Sequence, residues 1–395
     1  VLFFFLQIPG GWMISLVIKI FEPGLQGQIE KGSGVYIHHK GTRKSKIISK
    51  KEVKRFMRST FLSIIIVIAF IPMLLSGSAK VVYIPDDITV EENCLKASTI
   101  RDLSKEAEIY WCAPIKLVDD FFYLLDYDKY RVVKLSLQGK VVGQFGKKGE
   151  GPGEFLGISG ISTFKKNIAV TGRYKVVICD KDLKFIREIK LTQMFHDLIL
   201  GTNNRIYFYN NPSYSNYYFS VYSEDFKYLK KFGIKNPDAK EETIPDQKFT
   251  VSWDVVRTTC YVPEENGIWV SFKDRYDLRY YKDEKAIVDI KPKKQIFATS
   301  EDKFSGQKIM RYLDYSLLIA KHANKLYYCY KLGDNLFCDV FNLAENYRLI
   351  RRLKFPYRYK KLILSNGSIF YGLRGDAKGE NVLLDKVQID QKGGK

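Results

Sequence analysis

Ile115–Phe155 reads IKLVDDFFYLLDYDKYRVVKLSLQGKVVGQFGKKGEGPGEF. It holds four short β-type runs and then a loop. The second run is Phe122–Leu125, and the fourth, Lys140–Phe145, follows the polar turn Gln138–Gly139. β-branched and aromatic residues fill these runs, as half-buried strands favour. The set recurs. Second runs start again at Ile168, Ile206, Ile268, Leu326 and Ile369, at intervals of 38 to 62 residues. Fourth runs start again at Lys184, Lys227, Lys285 and Arg348, each after a polar turn. A turn, a cation and a β run make the closing strand of a hairpin. Charge on that strand blocks edge-to-edge pairing, so most of these lysines and arginines read as edge protection.

Recurrence at about 40–50 residues is the period of propeller blades and favours a propeller over a β-sandwich. The expected fold is all-β: a six-bladed β-propeller of four-stranded antiparallel blades over residues 80–395. The sixth set lacks its fourth run, and a spare strand-like segment, Lys80–Pro85, lies at the other end. The expectation is that this N-terminal strand completes the last blade and closes the ring. Leu103–Ile109 reads as a short helix or an irregular stretch. Insertions at 234–252 and 291–313 lengthen two junctions.

Leu135–Phe155, ending in Phe-Gly and then Gly-Pro-Gly-Glu-Phe, resembles the blade junction of NHL-repeat propellers, and more specifically their secreted bacterial six-bladed relatives. The resemblance implies a propeller fold and says little about function. Glycines there permit positive φ, Pro152 stiffens the turn, and Phe155 is placed to staple it to the next blade. Asp126 fits the acid that such blades carry after the second strand. The equivalent positions Gly172, Asn210 and Lys273 do not, which marks a divergent member.

The chain has 395 residues, 46% hydrophobic and 14% aromatic, with net charge +20. That much apolar surface excludes intrinsic disorder, and 6 Cys are too few for a fold held only by disulfides. The charge is uneven: residues 1–56 hold 10 Lys/Arg against 3 Asp/Glu, while +12 remains on 80–395. Lys51, Lys54, Arg55 and Arg58 precede an apolar run, Phe61–Leu75, and the small residues Gly77 and Ala79. This reads as a signal peptide over 57–79, cut after Ala79, or as an uncleaved anchor. Residues 1–56 read as an upstream extension, disordered or membrane-associated. The expected location is secreted or periplasmic, with membrane contact only through an uncleaved N-terminal segment.

No HExxH, GxSxG or Walker sequence is present, and Gly149-x-Gly151-x-Gly153 opens no helix. His196 and His322 fall in first strands, by the channel. His196, with Asp119, Asp120 and Asp197, supplies the best candidates for a channel lyase or metal-dependent hydrolase. The favoured reading has no catalytic residue, metal or cofactor. Cys329 and Cys338 flank the turn Gly333–Asp334 and are expected opposite one another, a possible disulfide. Cys94 and Cys112 are a second possible pair, and Cys179 and Cys260 read as buried hydrophobes.

Blade junctions and the turns between strands two and three share one face. It is expected to present Lys147, Lys148, Arg173, Tyr174, Tyr214, Trp253, Arg257, Arg275, Arg311, Tyr312, Arg358, Tyr359 and Arg374. Cations interleaved with aromatic rings suit a protein or glycan partner, or an anionic polymer. Export disfavours nucleic acid. The bland alternative is a solvated basic rim.

Overall fold

The computed structural model describes residues 2–8, 12–18 and 79–390, the last with interruptions at 111–113, 211–215, 235–240, 245–248, 253–255, 273–274, 305–306 and a few single positions. The chain divides into two units, Val1–Gly77 and Ser78–Lys395. In the first, Leu2–Ile8 pairs antiparallel with Trp12–Ile18. The expected leader up to Ser78 lies outside the described residues, as do 19–56.

The second unit is a ring of six four-stranded antiparallel blades. They span Ile115–Phe145, Ile158–Lys190, Phe195–Ile234, Val256–Pro292, Tyr315–Lys354 and Lys361–Ile389. The expected second runs all fall in second strands, and those strands are largely buried. In every blade the core lies against its neighbours. Trp269, Tyr276 and Leu278 of the fourth meet Tyr328 and Phe341 of the fifth. Phe219 and Phe232 of the third meet Val270 of the fourth. Each such side chain, fully buried, contributes about 1.5–3 kcal/mol. The insertions form antiparallel hairpins, Glu241–Ile244 with Phe249–Ser252 and Thr299–Phe304 with Gln307–Tyr312.

The third-to-fourth turns repeat one backbone device. The residue just before the opening cation has positive φ in five blades: Gly139 (74°), Leu183 (63°), Phe226 (61°), Glu284 (67°) and Tyr347 (62°). Each turn is followed by a register shift between the third and fourth strands. This is the turn-plus-bulge hairpin. A left-handed Leu or Phe is costly by itself, and packing offsets it. Leu183 is 4% exposed, and Phe226 lies 5.7 Å from Phe164.

The N-terminal segment closes the ring, but Lys80–Ile84 is not the closing strand. Leu95–Asp102 pairs antiparallel with Val382–Ile389 as the fourth strand of the sixth blade. Lys80–Ile84 instead adds a fifth, parallel strand outside the fourth blade, and Val90–Glu91 does the same on the fifth. The segment is therefore a strap over three consecutive blades. The reason is connectivity. A closing strand must run straight into the first blade, and Asp102 does so through the helix Leu103–Ala107. Asp102 caps that helix by accepting from the Ser104 amide at 3.1 Å. Ser104 Oγ then accepts from the Val382 amide at 2.8 Å. Phe122 and Tyr371 meet edge to face at 4.9 Å across the joint.

A candidate ligand face at the blade junctions

The Gly-Pro-Gly-Glu-Phe junction is built by its own hydrogen bonds. The Phe155 amide donates to Lys147 O (2.9 Å), and the Gly149 amide donates to Phe155 O (3.1 Å). The Glu154 carboxylate accepts from the Gly151 amide at 2.9 Å and pairs with Lys147 at 3.0 Å. These contacts hold its carboxyl below the usual carboxylate range, the lysine first. Phe155 is fully buried, edge-on to Phe145 at 6.3 Å. Gly153 supplies a φ of 73°. Lys175 of the second blade lies over the Phe155 ring, 5.8 Å from its centroid, so the predicted staple to the next blade is present.

Beside this loop runs the turn between the second and third strands of the second blade. The Arg173 amide donates to Gly157 O at 3.1 Å and the Leu191 amide to Tyr174 O at 2.7 Å. Junction and turn are thus on one face, as topology requires. Together they line a groove of about 310 Å³ that includes Glu150, Leu156, Arg173, Tyr174, Lys175 and Lys190. Lys175 forms its floor, donating to Gly151 O at 3.3 Å and to Glu188 at 3.0 Å. Tyr174 is 50% exposed and Leu156 49%. The Arg173 guanidinium lies 5.8 Å from the Tyr174 ring centroid. Among the described residues neither Arg173 nor Lys190 has a carboxylate partner.

The other expected rim residues are mostly engaged. Lys148 reaches over the Tyr130 ring at 5.7 Å. Arg275 pairs with Asp277 at 2.8 Å and covers Phe272 at 3.9 Å. Arg358 pairs with Asp334 and donates to its carbonyl at 2.7 Å. Tyr359 does not face the rim: it is 3% exposed, and its hydroxyl donates to Asp385 at 2.9 Å. Arg374 joins the same carboxylate at 2.6 Å. Tyr214 and Trp253 lie outside the described residues. Arg257, Arg311 and Tyr312 lie on described strands, but their side chains are outside the description.

Two buried clusters were missed in the sequence. Asp339, fully buried, accepts from Arg352 at 2.7 and 2.8 Å and from Tyr276 at 2.5 Å. The Tyr330 hydroxyl is 3.3 Å away. Burial, then the Asp339 charge, pushes the Tyr276 hydroxyl up. Asp385 with Tyr359 and Arg374 repeats the arrangement one blade on. A signal existed: each acid interrupts an apolar third strand, LFCDVF and VLLDKV.

His196 and His322 lie on first strands, Phe195–Leu200 and Tyr315–His322, and the side chains of His196 and Asp197 are outside the description. Asp119 and Asp120 sit in the turn between the first and second strands of the first blade, where Asp119 pairs with Lys181. Among the described residues no group of three or more His, Cys, Asp or Glu could hold a metal ion. Cys329 and Cys338 are directly opposed, as expected, and are free thiols. Cys94 is also free, and Cys112 lies outside the described residues.

The fold is shared with solved structures. A candidate exported protein from Bacteroides fragilis matches with a TM-score of 0.53 at 15% identity, over 79% of this chain and 99% of its own. A member of the duf4221 family from Bacteroides vulgatus matches with a TM-score of 0.51 at 10% identity, over 77% of this chain and 98% of its own. No curated protein matches the sequence. A family model described as a 6-bladed beta-propeller, DUF5128, matches residues 104–355, most of the ring, and the chain belongs to that family.

Proposed function

We propose that this protein is an exported, non-catalytic binding module that engages a protein or glycan partner through its junction face. One observation carries the reading. The junction groove of the second blade combines two cations that have no carboxylate partner among the described residues with half-exposed Tyr174 and Leu156, beside a junction loop fixed by its own hydrogen bonds. A preorganised groove binds without a large ordering cost. Export is read from the basic, apolar and small-residue pattern of 51–79, and the B. fragilis relative is itself described as a candidate exported protein.

The test is a pull-down from envelope extract with the full chain, against a variant carrying Arg173→Ala and Tyr174→Ala. The wild type is expected to retain a partner that the variant loses. Equal retention by both removes the groove from the function. N-terminal sequencing of the exported protein is expected to begin at Lys80; finding residues 1–56 attached refutes the cleavage.

A further inference from the structure

We infer that the groove of the second blade is a subsite for an acidic sugar residue, an inference that rests on the binding-module reading above. The chemistry of the lining selects this class. Lys175 and Glu188 satisfy one another at 3.0 Å. That leaves Arg173 and Lys190 against Glu150, one cation in excess. A polyanion needs more positive charge than this, and a neutral ligand needs none in excess. One carboxylate matches it, with Glu150 left to accept from hydroxyl groups.

Shape points the same way. Tyr174 offers a half-exposed ring beside Leu156, two surfaces for the C–H face of a pyranose. The Arg173 guanidinium, 5.8 Å from that ring, can reach the carboxylate of a sugar stacked there. A volume of about 310 Å³ is at the small-ligand end of the usual range, fitting roughly one or two sugar rings. An extended peptide requires a longer groove or a strand edge. Lys175 and the Glu154-braced loop are already held by hydrogen bonds, so the loop needs little ordering on binding.

The experiment is saturation-transfer NMR and calorimetry on the full chain. The probes are oligosaccharides ending in glucuronate, galacturonate or sialate, each beside its neutral counterpart. At least one acidic probe is expected to bind about tenfold or more tighter than its neutral partner, since one charge-assisted contact is worth roughly that factor. Arg173→Gln is expected to erase that preference while leaving the melting temperature unchanged. Tyr174→Ala is expected to weaken acidic and neutral probes alike. Affinity should fall as salt rises. Failure of all three acidic probes, or acidic binding indifferent to Arg173→Gln, overturns the inference. So does a glutamate-rich peptide that binds with Arg173 dependence where no sugar does. If the sugars fail but envelope capture still depends on Arg173, the sugar class is wrong and the binding module stands. If capture is also indifferent to Arg173, both fall.

Discussion

Arg351 and Arg352 are neighbours on the fourth strand of the fifth blade, and the structure gives their removal very different costs. Arg352 forks onto Asp339, whose carboxylate is 0% exposed and also takes hydrogen bonds from Tyr276 and Tyr330. Arg352→Met leaves that carboxylate charged, buried and without its cation. Breaking a buried pair in this way costs about 3–5 kcal/mol. A domain holds about 5–15 kcal/mol in all, so roughly a fifth or more of the stability goes. At roughly 2–4 °C per kcal/mol for a large domain, the melting temperature should fall by about 10 °C. Arg351 pairs with Glu91 of the strap, at 30% and 31% side-chain exposure. Solvent screens that pair, so Arg351→Met should cost about 1 kcal/mol or less.

The assay is urea unfolding of both single variants, Asp339→Leu, and the Asp339→Leu/Arg352→Met double variant. The double variant should recover most of the loss, because no charge is left unpaired, giving a coupling energy of about 2 kcal/mol or more. An Arg352→Met cost within 1 kcal/mol of wild type, or strict additivity in the cycle, refutes the reasoning.

Burial, against the opposing Arg275 charge, raises the Asp277 carboxyl to about 6. Its folded pKa thus lies above its unfolded one, so its own contribution to stability is fully present below about pH 4 and is lost as pH rises through 6. The upper bound is about 3 kcal/mol, and Asp277→Asn should flatten that part of the urea-stability profile between pH 4.5 and 7.5. Gly146→Ala should cost about 2–3 kcal/mol: φ is 94°, and the new Cβ meets Phe155 Cε2 at 2.8 Å and Tyr130 O at 3.0 Å. Gly333→Ala, at φ 56° with open space around it, should cost only about 1 kcal/mol in the same denaturation assay. Burial pushes the Cys179 thiol to about 12, and Cys338 is raised as well, whereas Cys260, expected to be buried, is half-buried. Iodoacetamide at pH 8 should therefore label Cys179 and Cys338 only after denaturant is added; mass spectrometry of native protein carrying the label at either would contradict it.

The ring was legible because its blades repeat a physical constraint. Second strands are buried on both sides, so they appear as short aromatic and β-branched runs. Fourth strands are announced by a turn whose last residue is left-handed and whose next residue is a cation. The closing strand had neither signature. Lys96, Ser98 and Thr99 alternate poorly, and its burial comes from Leu95 and the helix that follows. Lys80–Ile84 carries the stronger β composition, yet two of its apolar side chains, Val81 and Tyr83, are 41% and 55% exposed. Composition identified a strand there. Only the distance to the first blade decides which strand closes the ring.

The rim was harder to read because a cation's availability depends on acids elsewhere in the fold. Arg374 looked free in the sequence, but Asp385 lies beside it on the next strand. Arg358 looked free too, but the turn at Asp334 folds back against it. In the fourth blade, Arg279 on the third strand is held by Asp289 on the fourth at 2.6 Å. The second blade differs at this point. Its third strand, Lys175–Cys179, reads KVVIC and carries no acid, and its outer strand spends Glu188 on Lys175. Arg173, just before that strand, has an aromatic neighbour and, among the described residues, no carboxylate partner. The third strands of the fifth and sixth blades carry Asp339 and Asp385, each held by an arginine of its own blade, whereas that of the second blade carries none, and it is the second blade where the groove lies.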